Sequence, residues 1–219
     1  TVSTYNQIEY GIYTNKDYGN VRGLELKLDY SFNNLFIQTN YTYQFTRGNA
    51  DNPAQTFNRQ GSSIDKVIRF IPMSWDQRHT FNISLGYNTE KFGATITGYY
   101  NSGTPYTFSP QGESNLALLN LYPNNDVKPS NYHADLSGYI NLPKVLGISS
   151  NINFLIYNLT DRYNEYGVSS ETGRAYTAVV NETELLSHRS NFNSYDDRYK
   201  DPSMFSSPRE IKIGWTVSF

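Results

Sequence analysis

Large apolar side chains fall on every second residue in stretches spread along the whole of this chain. Read back from the C-terminus, Phe219, Val217, Trp215, Ile213 and Ile211 alternate with Ser218, Thr216, Gly214, Lys212 and Glu210. A period of two predicts a β-strand with one apolar and one polar face. The rhythm recurs seven more times. In residues 23–32, Leu24, Leu26, Leu28, Tyr30 and Phe32 alternate with Glu25, Lys27, Asp29 and Ser31; in 35–45, Leu35, Ile37, Tyr41, Tyr43 and Phe45 alternate with Gln38, Asn40, Thr42 and Gln44. Residues 79–87, 92–100, 132–142, 148–158 and the opening stretch 6–14 follow the same rule. Eight strands are therefore expected, most of them near the ~9–11 residues that a tilted strand needs to cross a bilayer.

The connections alternate as well. Asn33-Asn34, residues 89–91 and residues 143–147 form short links, whereas about 28, 26 and 50 residues join other pairs, near 48–75, 105–130 and 159–208, with a modest connection near 15–20. Successive connections of an antiparallel sheet lie at opposite ends, so every long one falls on one side. Loops beyond ~12–15 residues are uncommon in compact soluble domains. Short turns on one rim and long loops on the other predict an all-β fold, a transmembrane antiparallel β-barrel of the outer-membrane type.

Aromatic residues strengthen that expectation. Tyr30, Phe32, Tyr87 and Phe92 lie beside the short turns, and Tyr41, Tyr43, Phe45 and Tyr100 lie toward the long loops, with Leu and Ile between them. Two aromatic girdles flanking an aliphatic band are the expected lipid-facing pattern. The opposite face is Ser, Thr, Asn, Gln and charge, a poor sandwich core but an ordinary wet lumen.

Composition changes the picture in three places. Mean hydropathy is -0.61 and only 37% of the 219 residues are apolar, yet 20 Tyr and 12 Phe are present, which suits half-polar strands rather than helices. A net charge of -2 argues against a nucleic-acid partner. With no cysteine and three scattered histidines, neither a disulfide framework, a metal centre nor a cofactor site is expected. Four Asn-x-Ser/Thr triplets, at Asn40, Asn82, Asn158 and Asn181, are at chance level for so Asn- and Ser-rich a chain.

Longer strings carry a resemblance. NVRGLELKLDYSF, PMSWDQRHTFNISLGY, NFLIYNLTDRYNEYGVSSETGRAY and SPREIKIGWTVSF resemble, in order, recurrent segments of the C-terminal barrel portion of TonB-dependent outer-membrane receptors. Thr160 departs from the pattern, which usually has an aromatic residue there. The resemblance implies that residues 1–219 are the last strands of a 22-stranded barrel whose plug domain and TonB box are absent from this chain. It further implies energised import of a bulky nutrient: siderophore, cobalamin, glycan or peptide. The implied partners are the rest of the barrel with its plug, the TonB complex, the barrel-assembly machinery, lipid and the nutrient. The implied location is the bacterial outer membrane, with long loops extracellular and the C-terminus periplasmic. Within it the alternating end, Ile211, Ile213, Trp215, Val217 and Phe219, resembles the β-signal read during barrel assembly.

Candidate ligand contacts are the loop aromatics Tyr106, Phe108, Tyr122, Tyr163, Tyr166, Tyr176 and Tyr195, which can stack on rings, with Arg174, Arg189 and Arg198 to hold carboxylates. Glu25, Lys27, Asp29, Gln44, Arg78, His133 and Asp135 are expected to line the lumen. Two alternatives stay open. Eight strands can close into a complete small barrel acting as pore, adhesin or structural protein. His133 and Asp135, two apart on one face, are also where an omptin-like hydrolase would place an acid–base pair, although no nucleophile motif accompanies them and no enzyme is expected.

Overall fold

The structure is a computed structural model that describes residues 2–5, 8–11, 17–52, 55, 69–109, 122–176 and 201–218, the first two segments as backbone only. Strands β1 Val2–Tyr5, β2 Ile8–Gly11, β3 Gly19–Phe32, β4 Leu35–Gly48, β5 Ile71–Pro72 and β6 His79–Asn88 are followed by β7 Phe92–Asn101, β8 Pro105–Tyr106, β9 Asp126–Val127, β10 Asn131–Val145, β11 Ile148–Tyr157 and β12 Glu210–Ser218. A 3-10 turn, Pro202–Met204, precedes β12. No helix among the described residues is long and apolar enough to cross a membrane, which says nothing about strands.

Eight strands form one antiparallel sheet in the order β12-β11-β10-β7-β6-β4-β3, with β5 paired to the end of β4. One expectation is corrected here. The stretch 6–14 does not supply the eighth strand: its β2 part pairs back on β1, and the eighth place goes to β5. Only two residues separate β1 from β2, so a local hairpin satisfies both backbones at small loop-closure cost. Among the described residues the sheet is not closed into a barrel. Closure requires first and last strands to pair edge to edge, and among the described residues the outer edges of β3 and β12 have no partner strand.

The register carries each face across the whole sheet. One row runs Tyr30, Ile37, Leu85, Ile96, Leu136, Ile156, Ile211, and another Phe32, Leu35, Tyr87, Ala94, Gly138, Phe154, Ile213. The second row starts at the last residue of β3 and ends in the middle of β12, so strand ends step along the sheet. Such stagger accompanies inclined strands. The apolar face has no layer packed against it: Leu26 is 55% exposed, Ile213 76% and Trp215 73%, whereas the only buried hydrophobic residues among those described are Ile71, Met73 and Ala175.

Local chemistry explains the turns and bends. Asn33, Leu146 and Gly147 take φ of 51°, 54° and 84°, the left-handed region that two-residue hairpin links require. β10 runs past Leu142 to Val145 with a register shift there, where Pro143 has no N–H for the ladder. At Gly138 an added Cβ would lie 2.5 Å from Phe154 Cζ, so the ring occupies the space that a side chain there would need.

Candidate functional site

The polar face is built from alternate residues of the same strands. Glu25, Lys27 and Asp29 point to one side of β3; Asn40 Nδ2 donates to Glu25 Oε1 at 3.1 Å, and Lys27 Nζ lies 2.9 Å from Asp29 Oδ2. On β10, His133 Nε2 lies 2.5 Å from Asp135 Oδ1, and the His133 ring stacks on Tyr99 at 5.4 Å. Lys27 pairs in register with Asn40, Asn40 with Asn82, Asn82 with Tyr99 and Tyr99 with His133, so these groups lie on one row. A groove of about 520 Å³ follows it, with Asp29 and Asp135 on its walls. Gln44 lies on the same face, opposite Gly23.

Arg78 is placed otherwise. Its guanidinium sits 4.1 Å over the Phe45 ring, which packs edge-on against Tyr43 at 4.9 Å in the apolar-face series. Its Nη2 donates to Asp76 Oδ2 at 2.9 Å. Asp76 is buried and its other oxygen accepts the Thr46 N–H at 2.8 Å, tying residues 73–78 to the end of β4. Next along, Gln77 Nε2 donates to the Ser102 carbonyl, and His79 Nδ1 is 2.9 Å from Tyr41 Oη.

Buried polar side chains hold the other long connections. Asn158 donates its N–H to Asp135 Oδ1 at 2.8 Å, and its amide nitrogen donates to the Arg162 and Ser207 carbonyls, both at 3.0 Å. Asn164, fully buried, accepts the Tyr132 N–H at 3.1 Å and donates to the Tyr132 carbonyl at 2.8 Å. Asn124 Nδ2 bridges Asp51 Oδ2 and the Pro72 carbonyl, both at 2.9 Å. Polar atoms taken out of water must be paired, and here pairing fixes where each long connection leaves its strand. Asp135 thus holds backbone as well as facing His133. Candidate-site reading of the sequence passed over Asp76, Asn158 and Asn164; their signal was a small polar residue inside WDQRH and NLTDRYN, strings too specific for solvent-facing loop.

Of the loop candidates, Tyr106, Phe108, Arg174 and Tyr176 come together. Tyr106 Oη donates to Asp126 Oδ2 at 3.1 Å and lies 2.4 Å from where a Cβ on Gly173 would be, a residue at φ 70°. Burial, then the Asp126 carboxylate, pushes the Tyr106 hydroxyl up to about 12. Phe108 packs edge-on against Tyr106, and both its backbone groups bond Asn125. Arg174 forks onto Glu165 with Nη2–Oε1 at 2.5 Å and lies 5.6 Å over Tyr176. That pairing lowers the Glu165 carboxyl below its usual range and raises Arg174. Tyr122 is apart from this group, under Arg69 at 5.8 Å. Tyr163 is exposed, and Tyr166 reaches over the polar face to put its hydroxyl 3.1 Å from that of Tyr99. Arg189, Tyr195, Arg198 and Phe219 lie outside the described residues.

Comparisons of the chain with protein families, curated proteins and solved structures give no match. No group of three or more His, Asp or Glu positioned for a metal ion occurs among the described residues.

Proposed function

We propose that this chain is part of the barrel wall of a TonB-dependent outer-membrane receptor that imports a bulky nutrient. The observation that carries the membrane half of the reading is the uncovered apolar face, continuous in register across seven strands. In water such a face would cost free energy in proportion to its area; in hydrocarbon it needs no cover. Its height fits. From Leu35 to Phe45 are ten steps of about 3.3 Å, or about 25 Å along the membrane normal at a tilt near 40°, against an apolar band of about 25 Å in such barrels. The open edges at β3 and β12 suit a wall completed by further strands. The receptor half rests on the four sequence resemblances, and the Tyr106–Phe108–Arg174–Tyr176 cluster at the long-connection rim is where a ligand would meet it.

Energised uptake is the test. In cells making the full-length protein, accumulation of the limiting nutrient should stop when the proton-driven TonB complex is removed, while surface binding persists. Uptake that continues without TonB would contradict the reading.

A further inference from the structure

We propose that the rim of the apolar face is a binding surface for phosphate-bearing lipid headgroups in the leaflet on the long-connection side. This rests on the reading that the apolar face meets hydrocarbon. Five arginines follow that face just beyond its last apolar positions. Arg22 continues the Leu24 series of β3 and pairs in register with Phe45, and Arg47 continues the Phe45 series of β4. Arg78 lies over Phe45 itself. Arg162 lies 4.0 Å over the ring of Tyr132, which pairs with Tyr100 on the same face. Arg209 falls two residues before Ile211, just ahead of β12. The belt follows the stagger of the strand ends, as it must if it marks one level along the barrel. None of the described arginines lies at the short-turn end.

Charge and shape select the occupant. The carboxylates bonded to the belt are Asp76 on Arg78 and Asp161, 3.9 Å from Arg209. Glu165 acts electrostatically on Arg162 as well, so five cations face three acidic groups and the belt keeps an excess of positive charge. Arg47, Arg69 and Arg78 also line a cleft of about 530 Å³ with Tyr122, Asp76 and Asp126, three cations to two carboxylates and room for a headgroup. Arginine forks match phosphate oxygens, and a cation just above an aromatic girdle sits at headgroup depth while its stem stays on apolar surface. A protein partner at this level would have to displace lipid from the girdle beneath it.

Full-length protein reconstituted in phosphatidylcholine bilayers containing a minor share of phosphatidic acid would be released into detergent, and retained lipid counted by native mass spectrometry. Wild type should retain phosphatidic acid over phosphatidylcholine, with the preference falling as salt rises. The double variant Arg22→Gln/Arg47→Gln, which leaves the Asp76 and Asp161 pairs untouched, should lower that retention roughly tenfold or more; Lys27→Gln on the polar face should not. Absence of preference in wild type overturns the proposal whatever the variants do, and so does a folded double variant that retains as much. Failure of the protein to insert overturns both this and the membrane reading; insertion without phosphate preference overturns this one alone.

Discussion

Ile213 and Thr216 lie three residues apart on β12 and face opposite ways, the first opposite Phe154 and the second opposite Asn151. If the apolar face meets hydrocarbon, Ile213→Arg should lose about 2–4 kcal/mol of folding stability in lipid, and Thr216→Arg much less; chemical unfolding in vesicles measures both. At the rim, Asn164→Ala would leave the Tyr132 carbonyl and N–H without their buried partners, and a loss of about 2–4 kcal/mol is expected, seen as early proteolysis around residues 158–176. The Glu165–Arg174 fork should act as an acid-sensitive tie. Because the folded Glu165 value lies below the ordinary 4.5, its contribution is complete above that pH and disappears as pH falls through the lower folded value. Hydrogen exchange of the Ala175 amide, which donates to Glu165 Oε2 at 2.7 Å, should accelerate over that range, and Arg174→Gln should remove the pH step.

Strands were readable because their chemistry is local. Alternation in 23–32 and 211–219 fixed which residues share a face, and the register of β3, β4, β11 and β12 keeps those sets intact. Pairing partners were not readable in the same way. Nothing in the alternation of 6–14 distinguishes a strand of the main sheet from half of a local hairpin, and the hairpin is what forms. Nor does periodicity report side-chain bonds such as those of Asn158, whose amide reaches Ser207, 49 residues on. Arg78 illustrates the limit: extended alternation from His79 puts it with the lumen residues, but its pair with Asp76 and the Phe45 ring draw its guanidinium elsewhere. At this scale the Phe154–Gly138 contact gives a prediction. Gly138→Val places carbon where Phe154 lies and within 2.7 Å of the Gly93 carbonyl, so the three strands β7, β10 and β11 should separate there, lowering the yield of folded protein in a thermal-unfolding assay.

At the scale of the whole molecule, the two faces of this sheet are expected to meet different solvents. The chain contains no cysteine, so single cysteines placed one at a time along β12 carry a nitroxide without ambiguity about its position within it. With the full-length protein in vesicles, collision with oxygen reports hydrocarbon and collision with a water-soluble nickel chelate reports an aqueous face. Labels at Ile211, Ile213, Trp215 and Val217 should be oxygen-accessible and chelate-protected, while labels at Lys212, Gly214 and Thr216 should show the reverse, a period of two over the strand. Chelate access at Ile213 equal to that at Thr216 would contradict the account.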